Sequence, residues 1–152
     1  MQKPIYSADE EQTLMTRLWS SAVADDPEAF VLFAFPWGQP NTPLAKFKGP
    51  RTWQRKILRT IATHIRNNRG QIDMDAMRQA VASGRGIGKS ALVSWLILWM
   101  LTTRIGSSVI VSANSEAQLR SVTWGELTKW QAMVINNHWW KSAQRSWCPL
   151  SG

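Results

Sequence analysis

At 152 residues, with 44% hydrophobic and 18% charged side chains, the chain suffices for one ordinary domain with its own core and is too short for two. That composition excludes a disordered protein. The net charge of +8 is unevenly placed: residues 1–50 carry four basic and six acidic side chains, net −2, and residues 51–152 carry fourteen and four, net +10. The second part attracts polyanions such as nucleic acid or nucleotide, unless it is simply a solvated basic face.

One cysteine, Cys148, excludes an internal disulfide and suits a reducing compartment. His64 and His138 stand apart from any Cys or carboxylate cluster, which argues against a histidine-built metal centre. The N-terminus lacks the apolar run of a signal peptide. The longest apolar stretch, Ala91–Leu101, falls short of the ~18 residues that cross a bilayer, so a soluble protein with no membrane partner is expected. Ten tryptophans are many for this length. Most fall at helical core spacing, which predicts packing rather than stacking on bases.

In chain order, Ser7 followed by Glu10 forms a capping box that opens a first helix, predicted through about Val23. Asp26-Pro27-Glu28 starts a short second helix bearing Phe30, Val31, Phe33 and Phe35. Pro36 to Pro50 holds four prolines and two glycines, a connector with little room for helix or strand. The charge changes sign there, so residues 1–49 read as an N-terminal helical segment with its connector, and residues 50–152 as the main domain. Trp53, Ile57, Leu58, Ile61 and Ile65 then recur at helical spacing, with Arg55, Lys56, Arg59 and Arg66 off the stripe. Residues 67–70 end that helix.

Met77–Ala82 is expected to form a short strand leading into a glycine-rich turn. A helix follows from Lys89 to about Thr103, closed by Arg104-Ile105-Gly106. The β-branched run Ser108–Ser112 predicts a second strand. Asn114 or Ser115 caps a last helix, with Leu119, Val122, Leu127, Trp130, Met133 and Val134 on one face. This order predicts an α/β fold: an incomplete P-loop NTPase domain, a parallel sheet flanked by helices, preceded by the N-terminal helical segment. Because Ala91–Leu101 is apolar on nearly every face, its covering is expected to demand more protein than this chain supplies.

Ser83-Gly84-Arg85-Gly86-Ile87-Gly88-Lys89-Ser90 matches the Walker A phosphate loop except at Ser83, where the pattern has glycine. Gly84, Gly86 and Gly88 let the backbone, Ile87 included, wrap closely enough for its N–H groups to face phosphate oxygens. The following helix points its positive end at the same anion. Lys89 reaches the β- and γ-phosphates of ATP, and Ser90 offers its hydroxyl to a nucleotide-bound Mg²⁺. Hydrolysis also needs a carboxylate on a later strand to hold Mg²⁺ and one to orient water. After the loop only Glu116 and Glu126 are acidic. Neither ends an apolar strand, so the expectation is a front half of an ATP site, within a fragment of something longer or a degenerate binding protein.

The segments at 30–38 (Phe-Val-Leu-Phe-Ala-Phe-Pro-Trp-Gly), 49–54 (Gly-Pro-Arg-Thr-Trp-Gln) and 82–90 together resemble the large terminase subunit of tailed bacteriophages and prophages. The resemblance covers residues from about 26 to about 140. It implies a motor ATPase that drives double-stranded DNA into a capsid, with a portal protein and a small terminase subunit as partners. It further implies a homo-oligomeric ring, the cytoplasm of a bacterial host, and ATP with Mg²⁺ as cofactors. Under it Gln54 becomes the adenine-recognising glutamine, and Arg85 a catalytic arginine that stabilises the γ-phosphate. Ser112-Ala113-Asn114 with Gln118 resembles a motif that lies near nucleotide or DNA. The family's Walker B strand, catalytic glutamate and nuclease carboxylates have no counterparts, which leaves ATP turnover by this chain open. The alternatives are a helicase-like or DNA-repair ATPase with the same loop, and a non-catalytic basic nucleic-acid-binding module.

Overall fold

The structure, a computed structural model, describes residues 6–69, 77, 79–81, 88–112, 115–143 and 146–149. Helix α1 (Ala8–Leu18) starts where the Ser7 and Glu10 pattern places it. The Glu10 N–H donates to the Ser7 hydroxyl at 3.3 Å and the Ser7 N–H to the Glu10 carboxylate at 2.7 Å. It ends sooner than expected, and a separate turn, α2 (Ser21–Ala24), carries Val23 into the core. Helix α3 (Pro27–Ala34) is capped by Asp26, whose carboxylate accepts from the Ala29 N–H at 3.2 Å. Residues 36–51 form turns without helix or strand. Helix α4 (Thr52–Asn67) and helix α5 (Lys89–Thr103) follow at the predicted positions.

The final helical stretch departs from regular spacing. Ser115 caps α6 (Glu116–Gln118), a π-helical stretch spans Leu119–Trp124, and α7 (Gly125–Met133) completes it. A π turn carries more residues per turn than an α turn, so it rotates the stripe. Val122 is thereby 49% exposed, while Leu127 and Trp130 remain buried. A 3₁₀ turn (Asn137–Trp139) leads into β1 (Trp140–Ala143), which pairs antiparallel with β2 (Ser146–Pro149).

The expected α/β fold with a parallel sheet is overturned. Among the described residues the one β pairing is this antiparallel hairpin, at residues 140–149 and so well past the glycine-rich loop at 83–90. Of the first expected strand, Met77, Gln79, Ala80 and Val81 are described and form none; Arg78 and Ala82 lie outside the described residues. The run Ser108–Ser112 is not a strand, and its Ile110 is 93% exposed. The physical reason is pairing: β-branched residues favour a pleated backbone only where a neighbouring strand supplies donors and acceptors.

Helices take the place a sheet would fill. Helix α5 is wrapped by α2, α3 and α7. Eight of its fifteen residues are buried, Trp95, Leu98 and Trp99 among them, and Val93 is its one exposed large apolar residue. Most of the covering thus comes from within this chain. Phe35, Trp37, Trp95 and Trp130 interlock over α5, with Trp95 and Trp130 edge to face at 5.1 Å and Phe35 and Trp130 at 5.2 Å. The core runs continuously from Leu18, Phe30 and Val31 through Leu58 to Leu127 and Val134. No helix among the described residues is long and apolar enough to cross a membrane.

Candidate phosphate-binding site

Helix α5 begins at Gly88, its N-cap residue, in the left-handed conformation with φ +92°. A side chain there would be strained, and a Cβ would sit 2.5 Å from the Gln54 amide nitrogen. Lys89 and Ser90 occupy the first helical turn, Lys89 exposed and Ser90 half-buried. No side chain caps this end and its first turn holds no acidic residue. Within its own first turn, no carboxylate therefore offsets the partial positive charge of this fifteen-residue helix.

Gln54 reaches this point from α4. It is 3% exposed, and both ends of its amide are engaged by backbone. Its Oε1 accepts from the Arg51 N–H at 2.8 Å, the reach of a third-position glutamine back to its own helix N-cap. Its Nε2 donates to the Gly88 carbonyl at 2.8 Å. The first turn of α4 also lacks an acidic residue. Two helix N-termini, positive end beside positive end, thus meet across one side chain.

The structure brings together Gln54, Gly88, Lys89 and Ser90 of the predicted site. Ser83, Gly84, Arg85, Gly86 and Ile87 lie outside the described residues, as do Ala113 and Asn114 of the weaker motif. Ser112 and Gln118 are exposed, and the Gln118 backbone N–H donates to the Ser115 hydroxyl at 3.1 Å. Of the two later acids, Glu126 accepts from the Trp130 indole at 2.8 Å, and Glu116 sits in the exposed first turn of α6. Among the described residues no group of three or more His, Cys, Asp or Glu side chains could hold a metal ion.

Charge pairing is what sequence reasoning missed. Asp25 pairs with Arg69 and lies 3.7 Å from Arg104; Asp26 pairs with Arg66 at 3.0 Å; Glu28 pairs with Arg59 at 2.7 Å and lies 3.7 Å from Arg55. The acidic N-terminal segment therefore lies against the basic face of α4 and the Arg104 cap that follows α5. The signal was present in the opposite signs of the two parts, but their pairing is tertiary. A groove of about 670 Å³ runs along α4, its described lining including Thr52, Lys56, Arg59, Thr60, Thr63 and His64. Thr60 and Thr63 turn their hydroxyls back to helix carbonyls, and Arg59 is held by Glu28.

Comparison with protein-family models, with curated proteins and with solved structures found no match.

Proposed function

We propose that the chain binds the polyphosphate of ATP at the start of α5 and is the N-terminal part of a DNA-packaging motor ATPase of the large-terminase type. One observation carries the reading. Gly88-Lys89-Ser90, the end of the Walker-like loop, forms the first turn of a long helix that has neither acid nor side-chain cap, beside the equally acid-free start of α4. Converging positive helix ends and a lysine are what a phosphate chain requires.

Within this reading Lys89 holds the β- and γ-phosphates and Arg85 approaches the γ-phosphate. Mg²⁺ fits the donors present in one respect: it commonly takes one or two protein oxygens, with substrate phosphates and water for the rest, and Ser90 offers a half-buried hydroxyl beside Lys89. When bound it neutralises charge on the phosphates. Double-stranded DNA, a portal protein, a small terminase subunit, a ring of copies and the cytoplasm of a bacterial host belong to the same proposal. They rest on the sequence resemblance and on the +10 charge of residues 51–152. A purely nucleic-acid-binding module is less favoured, since Trp95, Trp99, Trp130 and Trp140 are buried and not placed to stack on bases.

The test is equilibrium titration with a fluorescent ATP analogue and Mg²⁺. Replacing Lys89 by Ala removes a charge-assisted contact worth about 1.5–3 kcal/mol, so affinity drops about tenfold or more. An unchanged Kd in Lys89→Ala sinks the reading.

A further inference from the structure

Gln54 joins two places 34 residues apart in sequence, and the way its amide is used limits what else it can do. A glutamine that reads adenine presents both ends at once, its oxygen accepting from the exocyclic amine and its nitrogen donating to a ring nitrogen. Here the oxygen takes the Arg51 N–H and the nitrogen gives a proton to the Gly88 carbonyl, each at 2.8 Å, and the side chain is 3% exposed. A base could obtain the bidentate pair only by breaking both bonds.

The Gly88 carbonyl also receives the first intrahelical bond of α5, from the Leu92 N–H at 3.1 Å. It therefore has two donors, one along the helix and one from Gln54. The second fixes the peptide plane between Gly88 and Lys89, and with it the direction of the Lys89 N–H. The tight approach of Gln54 to the Cα of Gly88, where even a methyl group would collide, leaves that plane little freedom.

We infer that Gln54 is a positioning residue that locks the Gly88–Lys89 peptide at the mouth of α5, and that the site takes nucleoside triphosphates without reading the base through Gln54. This rests on the proposal that polyphosphate binds at the start of α5. The expected ligand class is wider than ATP: GTP and inorganic tripolyphosphate bind through the same contacts.

Two variants of the full chain test it. Gln54→Met keeps the volume and removes both polar ends; Gln54→Glu keeps an acceptor for the Arg51 N–H and removes the donor toward Gly88. Dissociation constants are measured for ATP, GTP and tripolyphosphate, and the hydrogen exchange of the Leu92 amide is followed without ligand. Gln54→Met should weaken all three ligands alike, about tenfold, and Gln54→Glu should weaken them further, since its carboxylate also repels phosphate. The ATP-to-GTP ratio should stay at its wild-type value, and Leu92 should exchange faster. A selective loss of ATP, with GTP and tripolyphosphate unchanged, would overturn the inference and make Gln54 a base reader. If the unaltered chain binds none of the three, it is the proposed function that fails. The exchange measurement then still decides the lock, which is wrong if the Leu92 rate is the same in wild type and both variants.

Discussion

Helices α1 and α5 begin in opposite ways. The start of α1 is closed on itself: Ser7 and Glu10 satisfy each other's backbone, and Asp9, Glu10 and Glu11 surround the positive end with negative charge. The start of α5 is closed from outside, by a glutamine of another helix bonded to Gly88, and its first turn is free of acids. A helix start can satisfy its backbone with local groups alone, as the capping box of α1 does. The α5 end forgoes such a cap and is built instead from a left-handed glycine and a long-range brace. Of the two, the α5 end is the one we propose as the ligand site.

The contrast can be broken hardest at Gly88. Gly88→Ala places an L side chain at φ +92° and against the Gln54 amide. Left-handed strain and overpacking together cost about 2–4 kcal/mol, read as a shift in the urea midpoint at unchanged slope. Phosphate affinity should fall with it. Ser7→Ala, at the closed end, should cost about 1 kcal/mol and leave nucleotide affinity unchanged. An equal effect of the two substitutions on binding would erase the distinction between the helix starts.

The smallest effect is in acid. The Ser7 backbone N–H, and then its hydroxyl, hold the Glu10 carboxyl below its ordinary value of 4.5. A carboxyl depressed in the folded state contributes stability above its unfolded value and loses it as pH falls through the folded one. Thermal stability of the wild type should therefore decline below about pH 4.5 by slightly more than that of Glu10→Gln, which has no such proton to take up. Parallel pH profiles would show the box to be energetically silent.

Local chemistry was legible in the sequence; pairing was not. The starts at Ser7 and Asp26 were visible because a cap and its helix lie within four residues of each other, and the start at Lys89 because an apolar helical run follows a glycine-rich turn. The strands expected at 77–82 and 108–112 depended on partners that no short window contains, and composition alone could not reveal that Trp37 and Trp130 would cover α5 instead. The π stretch likewise hid Val122, since regular spacing assigns it to the buried face. At the site, the loop pattern and Gln54 could be picked out as residue types. What Gln54 holds could not, because its partner lies 34 residues away.

The meeting of α4 and α5 at Gln54 has a thermodynamic consequence. Folding this chain brings two like-signed helix ends together, and that repulsion is built into the native state and absent from the unfolded chain. Any anion seated between them relieves it, so occupancy and foldedness are linked quantities. At a concentration one hundred times its Kd, such a ligand raises stability by about 2.7 kcal/mol through mass action alone. If polyphosphate binds there as proposed, the melting temperature of this protein becomes a gauge of the polyphosphate around it.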